Sequence, residues 1–384
     1  MDENPTMVGR AMRLYLGRRL SHWILLATFC VMDALGLMGA WVAGRFYFAQ
    51  GGQQRWLYTT LQTIGWPILI PPLFITYYLE TRRPKSSDPI IILLLLHSPG
   101  SIITTARALL DARASVGAPF TPTLLLVFTG LGFLTSIDNF LFTYGLSYLS
   151  VSTAALLGSS QLAFTSVFSY LLVRFRFTFG SLNAVFAITL GTVLLGLPGA
   201  AASTDIPPGT SHKQYILAVV AAIGAAALFG LILPLLELTY EKLIHRSNIC
   251  VILETQIMVS LFATVFSLLG MAFSGEFSAI HGESTTFGSS SSSIYCVVLL
   301  ATAVCWQLCY VGALGLVFLA SALFSNLLST SFLPIISILA LAVFHDDFSS
   351  LKAIAVLLSF WGTISYAYGG YSNNATIPDH PTTT

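Results

Sequence analysis

Charge is what this sequence has least of. Only 9% of its 384 residues are charged, against about 25% in ordinary soluble domains, and 17 Lys+Arg nearly cancel 16 Asp+Glu. A net charge of +1 creates no field that could gather a polyanion, so nucleic acid is excluded as a partner. Cysteine is equally sparse. Cys30, Cys250, Cys296, Cys305 and Cys309 show no zinc-type pairing, and four of the five lie in apolar runs, which suits buried thiols rather than disulfides or a metal site. The seven histidines form no HExxH or HxxxH pair, and the chain has no Gly-x-Ser-x-Gly elbow and no Gly-rich phosphate loop after a strand. The expectation is therefore a protein that is not an enzyme and carries no metal and no cofactor.

What is present is apolar length. The chain is 55% hydrophobic with a mean hydropathy of +0.80. A bilayer core about 30 Å thick needs roughly 17–25 apolar residues per helix, because lipid offers backbone polar groups no partner. Ten runs meet that need, at 22–44, 61–79, 122–145, 151–173, 180–198, 215–236, 251–273, 294–312, 317–343 and 351–370. The first follows Arg10, Arg13, Arg18 and Arg19, is too long for a cleaved signal and lacks a small-residue cleavage site, so it reads as a retained helix.

The placement of the few charges sets the orientation. With the N-terminus inside, 13 basic residues fall on the cytoplasmic side and 4 (Arg45, Arg55, Lys213 and Lys352) on the other. Counting the apolar stretch around 90–106 as a further span would even out that split, against the positive-inside rule. Residues 86–119 therefore read as a cytoplasmic or interfacial insertion, and both termini as cytoplasmic, which leaves the Asn374-Ala375-Thr376 sequon unglycosylated.

An internal repeat agrees. Residues 150–199 align without a gap on 321–370, with 12 of the 50 pairs identical, among them Ser150/Ser321, Ser160/Ser331, Ala184/Ala355, Gly191/Gly362 and Thr192/Thr363. The two copies are separated by five spans, an odd number, so they lie inverted in the membrane. The fold expected is an all-α integral membrane protein of ten transmembrane helices in a five-plus-five inverted repeat, the architecture of carriers that rock around a midplane site. Its parts are an N-terminal cytoplasmic segment 1–21, a first repeat 22–198 holding the 86–119 insertion, an extracytoplasmic linker 199–214, a second repeat 215–370 and a cytoplasmic tail 371–384.

Polar side chains inside spans are costly and mark candidate sites, although many only bond a neighbouring helix. Gln161 offers an amide that donates and accepts at once, as recognition of a heterocycle edge requires. Trp306 and Gln307 place a stacking face beside a second amide, and Asn326 lies at a comparable depth. A proton-coupled carrier also needs a carboxylate that titrates in a low-dielectric site. Asp33 and Asp138 are the expensive placements; Glu237 and Glu254, near cytoplasmic ends, suit structural or gating work. Apart from Lys352 at the edge of the last run, no Lys or Arg lies inside a span, which disfavours a phosphate-bearing cargo. Pro67, Pro234 and Pro334 each remove a backbone hydrogen bond, and Gly36-x-x-Gly39 and Gly224-Ala-Ala-Ala suit close helix packing.

Several stretches resemble the plant purine permease family of the drug/metabolite transporter superfamily. They are Arg45-Phe-Tyr-Phe-Ala-Gln-Gly-Gly52, Gln62-Thr-Ile-Gly-Trp-Pro67, Tyr144-Gly-Leu-Ser-Tyr-Leu-Ser-Val-Ser-Thr153, Ser160-Gln-Leu-Ala-Phe164, Leu233-Pro-Leu-Leu-Glu-Leu-Thr-Tyr240 and Leu358-Ser-Phe-Trp-Gly362. The resemblance implies a ten-helix carrier of adenine, cytokinin-type bases and related heterocycles, driven by proton symport and residing as a multi-pass protein in the plasma membrane. Within that reading the substrate meets Gln161, Asn326, Trp306, Gln307 and Tyr144, and protons are handled by Asp138, Asp33, Glu254 and Glu237. The partners implied are a small heterocyclic substrate, protons and the lipid bilayer.

The chain departs from the family pattern at Asp138-Asn139, where the pattern pairs two acids, and at Leu333-Pro-Ile-Ile-Ser337, where it places a Glu. If that Glu is the coupling acid of relatives, this member moves its substrate differently. Two other functions stay open at this point: a nucleotide-sugar or organic-phosphate antiporter of the same superfamily, and a membrane scaffold that transports nothing.

Overall fold

The computed structural model describes residues 7–82, 117, 121–174, 179–196, 211–244, 248–287, 292–344 and 350–375. The 86–119 insertion and the 199–214 linker lie, but for a few residues, outside these described residues. Helices, joined by short turns, account for the described architecture, and no strand occurs among the described residues.

Helix α1 (Met7–Ala49) starts earlier than the apolar run, continuing through the Arg-rich segment. The second apolar run is not one helix. It divides into α2 (Arg55–Ile64), a 3-10 turn (Trp66–Leu69) and α3 (Ile70–Arg82), because Pro67 cannot donate to the ladder. Next come α4 (Pro122–Tyr148), α5 (Val151–Gly158), α6 (Gln161–Phe168), α7 (Phe179–Gly196) and α8 (His212–Thr239). The chain then forms α9 (Ile249–Ser274), the short α10 (Ile280–Thr286), α11 (Ser292–Leu319), α12 (Ala322–Phe344) and α13 (Ser350–Ala375).

Local chemistry sets the ends. Thr121 caps α4 by accepting from the Leu124 N–H at 3.2 Å. Ser211 and Gln214 form a reciprocal capping box at the start of α8. Gly275 ends α9 with φ +74°, a left-handed turn that disfavours a side chain. Between α5 and α6 the Ser159 and Ser160 hydroxyls bond back to the carbonyls of Leu156 and Leu157, at a turn within what remains one apolar span, 153–173.

Seven segments among the described residues are long and apolar enough to cross a membrane: 22–49, 122–148, 153–173, 212–244, 249–274, 293–319 and 322–339. Shorter apolar helices cover 179–191 and 353–366. Large side chains such as Val31, Phe133, Phe186, Phe273, Leu300 and Ile364 point outward uncovered, as expected where the solvent is lipid. The protein is a multi-pass membrane protein.

Helix association in lipid rests on close packing of small residues rather than on the hydrophobic effect. The α1–α11 contact shows it. A Cβ on Gly36 would fall within 2.7 Å of the Cys305 carbonyl oxygen, and one on Gly312 within 2.8 Å of the Asp33 Cα. The main pairings are α1 with α11, α4 with α8 and α9, α7 with α13, α2 with α9, and α5 with α12. They enclose two apolar cores, one around Tyr47, Tyr58, Leu146 and Leu157, the other around Leu131, Val251, Leu316 and Ile232.

Candidate functional site

The first core surrounds a cavity with about 740 Å³ of empty space, bounded by α1, α2, α4, α5, α6, α8, α11 and α12. Its walls are aromatic. Trp306 stacks on Tyr310, with ring centroids 5.4 Å apart and planes at 30°, and meets Phe142 edge-on at 5.4 Å. Trp41 packs edge-on to the same Phe142 at 5.0 Å. The Trp306 indole N–H reaches the Tyr58 hydroxyl at 3.5 Å.

Set into these walls are polar groups with little to bind. Asp138 and Gln161 line the cavity, and the side chain of neither makes a hydrogen bond with another described residue. Gln62 and Asn139 line it too. The Gln62 Nε2 donates to the Thr143 hydroxyl at 2.8 Å and to the Asn139 carbonyl at 3.2 Å, while its Oε1 is buried with no partner. Asn139 Oδ1 accepts from the Tyr310 hydroxyl at 2.8 Å, while its Nδ2 is buried with no partner. A buried polar atom left unpaired in an apolar wall is expensive, so such atoms mark where a ligand or water completes the set.

Asp138, Phe229 and Tyr310 also bound a second cavity with about 460 Å³ of empty space, whose polar lining comes from Thr135, Gln256 and Ser260. Asp138, Phe229 and Tyr310 thus form the partition between the two chambers.

Of the residues singled out from sequence, Gln161, Trp306 and Asp138 meet at the first cavity. Asp33 lies just behind it, fully buried, accepting from Ser329 at 2.8 Å and approached by the Cys309 thiol at 3.5 Å, and both of those residues line the cavity. The others lie apart. Gln307 is turned a residue away from Trp306 on α11 and donates to the Thr63 carbonyl at 2.9 Å. Asn326 bonds Thr165 across α12 and α6. Glu254 accepts from the Tyr77 hydroxyl. Glu237 accepts from the Ala322 N–H at 2.8 Å, placing a carboxylate at the positive end of α12. Tyr144 lies under the Arg55 guanidinium, 5.1 Å from ring centroid to Cζ.

Gln62, Asn139 and Tyr310 are among the cavity residues that were not candidates from sequence. Two carried a signal: Gln62 opens the Gln62-Thr-Ile-Gly-Trp-Pro67 stretch, and Asn139 follows Asp138. Tyr310 carried none, since only the fold brings it to Asn139.

One end of the bundle is clasped. The α2 N-terminus lacks a side-chain cap of its own, and two carboxylates from the segment after α9 supply it. Glu283 accepts from the Gln53 and Gln54 N–H groups at 3.1 and 3.3 Å and from the Tyr47 hydroxyl at 2.6 Å. Glu276 accepts from the Leu57 N–H at 3.1 Å. Burial pushes the Glu276 carboxyl above its ordinary pKa, against backbone N–H groups and the Arg55 charge that pull it down. Arg55 itself donates to Ser147 Oγ at 3.3 Å and to the Tyr148 hydroxyl.

The described residues thus form a helical, multi-pass membrane protein whose aromatic cavity lies between its helices and suits a small, flat ligand. A family model described as "Purine nucleobase transmembrane transport" matches residues 24–376. The chain is 34% identical over 340 residues to "Purine permease 3" of Arabidopsis thaliana, covering 88% of this chain and 89% of that one. It is 35% identical over 355 residues to "Probable purine permease 11" of the same plant, at 92% and 85% coverage, and 33% identical to "Purine permease 2", at 88% and 90%. The chain belongs to the purine permease family.

Proposed function

We propose that this protein carries purine nucleobases and purine derivatives, adenine and cytokinins among them, across the plasma membrane by alternating access coupled to proton entry. The observation that carries the reading is the cavity itself, in which flat aromatic faces flank unpartnered amide and carboxyl atoms. A planar heterocycle needs that combination: faces to stack on and an edge to pair with. In this reading Trp306 and Gln161 contact the base, Asp138 carries the proton, and Asp33 supports the same wall through Ser329 and Cys309. Gln307, Asn326 and Tyr144 hold helices around the site, and Glu237 and Glu254 brace the ends of theirs.

A five-plus-five inverted repeat of ten crossings supplies the rocking element, counting α2–α3 and α5–α6 as one crossing each. Its support is that exchanging the two halves maps the helix pairings onto themselves: α1 with α11 becomes α8 with α4, and α2 with α11 becomes α9 with α4. The repeated residues behave alike. Ser150 accepts from the Thr153 N–H and Ser321 from the Phe324 N–H, at 3.3 and 3.1 Å, both starting a helix. Ser166 bonds back to Leu162 and Ser337 to Leu333. With both termini cytoplasmic, the Arg55–Glu276–Glu283 clasp lies on the outer side.

A phosphate-bearing cargo is disfavoured, since no Lys or Arg lines the cavity. The test is uptake of radiolabelled adenine and trans-zeatin in yeast lacking its own purine carrier, at acidic and neutral external pH. Uptake stronger at acidic pH and abolished by a protonophore is expected. No uptake of either compound despite surface expression would overturn the substrate reading and leave a non-transporting scaffold; uptake indifferent to the protonophore would overturn the coupling.

A further inference from the structure

Primary amides usually read a ligand ambiguously, because rotating the group by half a turn exchanges donor for acceptor. At this cavity two of them are prevented from doing so. The Gln62 amide faces the Asn139 carbonyl oxygen, which can only accept, and the Thr143 hydroxyl, whose proton is already given to that same carbonyl at 2.7 Å. Turning Gln62 over would set its oxygen against the Asn139 carbonyl, which has no proton to give, and would reach the Thr143 proton only by taking it from that same carbonyl. Its Nε2 is therefore held to those two groups, and its Oε1, buried in the cavity wall, is left as an acceptor without a partner. Asn139 is fixed from the other side. The Tyr310 hydroxyl finds no acceptor among the described residues except Asn139 Oδ1, which leaves Nδ2 as a donor.

We infer that Gln62 and Asn139 form a fixed acceptor–donor pair that selects cargo carrying an N–H next to an unprotonated ring nitrogen or a carbonyl. This inference rests on the purine reading and names the edge that the site takes. Amidine-like and lactam-like edges fit it, and both are found on free nucleobases. A heterocycle alkylated at every nitrogen that could bear hydrogen does not, since it would bury Gln62 Oε1 unpaired. A site built to hydrogen-bond a substrate group rejects the analogue lacking it far more sharply than an apolar pocket rejects a change of size. Gln161, whose amide is unrestrained, adapts to either polarity and so adds affinity without adding this selectivity.

The test is competition against radiolabelled adenine bound to the purified full chain, using unlabelled adenine and 6-dimethylamino-9-methylpurine, which keeps the ring acceptors and has no N–H. The wild type is expected to prefer adenine by about tenfold or more. Steric rejection of the added methyl groups would survive in Gln62→Met; loss of the acceptor should instead weaken adenine about tenfold, leave the methylated compound unchanged and close the gap. Asn139→Asp keeps the oxygen that Tyr310 needs and replaces the donor, so it should weaken both compounds about tenfold while eluting as a monodisperse protein. Equal binding of the two compounds by the wild type, a gap that persists in Gln62→Met, or undiminished adenine binding by Asn139→Asp would overturn the inference and leave the purine reading intact. A wild type that binds neither compound would overturn both.

Discussion

Ser329 on α12 donates to Asp33 on α1 at 2.8 Å, in a place where the carboxyl group is fully buried and where the Cys309 thiol of α11 approaches its other oxygen at 3.5 Å. Three helices are thus joined through one carboxyl group. Asp33→Asn keeps an oxygen for Ser329 and should leave the fold intact. Asp33→Leu leaves buried hydrogen-bonding groups without a partner and should cost about 1–3 kcal/mol of stability. Thermal unfolding of the detergent-purified variants checks this. An Asn variant destabilised as much as the Leu variant would show that the charge, not the acceptor, is what the three helices need.

Asp138 differs from Asp33 in having no hydrogen-bond donor among the described residues and in facing both chambers. Asp138→Asn should therefore abolish accumulation of substrate against a gradient while leaving exchange of internal for external substrate. Counterflow and net uptake in proteoliposomes separate the two. Undiminished accumulation would remove Asp138 from the coupling.

The α1–α11 seam is tight enough to be broken by one methyl group. Gly36→Ala would drive a Cβ into the Cys305–Cys309 backbone, which cannot move aside as a flexible side chain can. The expected cost is about 1–3 kcal/mol or more. Gly130, on α4, has no atom within 4 Å of an added Cβ, and Gly130→Ala should be neutral or gain about 0.5–1 kcal/mol through helix propensity. Comparing unfolding midpoints of the two alanine variants tests whether the seam or glycine in general sets stability.

The clasp on α2 should respond to pH. Burial raises the folded pKa of Glu276 above its ordinary 4.5, so its contribution to stability is fully present below about that value and is lost as pH rises through the raised folded value. Acidification from neutral pH should stabilise the wild type against heating, and Glu276→Gln, which keeps an acceptor for the Leu57 N–H, should reduce that gain. An equal gain in both would assign the pH response to other groups. Glu283→Ala should destabilise at every pH, because the Tyr47 hydroxyl and two backbone N–H groups lose their acceptor together.

How much of this was legible in the chain differs by the kind of interaction. Apolar run length marked the helices well, since lipid demands it of every span. It failed at Trp66-Pro67, where one proline interrupts a run that composition cannot tell from continuous helix, whereas the turn at Ser159-Ser160 leaves 153–173 a single apolar span. Among candidate residues, Gln161, Trp306 and Asp138 were identifiable because a polar or amphipathic group within a span is rare. Gln307 and Asn326 satisfy the same criterion and turn away from the cavity, because bonding a neighbouring helix and binding a ligand make the same demand on composition.

The sequence by itself determined that this protein lives in a bilayer and which family it belongs to, because each follows from residue counts and order along the chain. Only the tertiary structure decided which amides are already satisfied. Whether Gln62 and Asn139 present an acceptor or a donor depends on the Thr143 and Tyr310 hydroxyls that hold their other halves. Asn139 and Tyr310 are far apart in the chain, and no local pattern encodes a hydrogen bond that arises only because the fold sets α4 and α11 around one cavity.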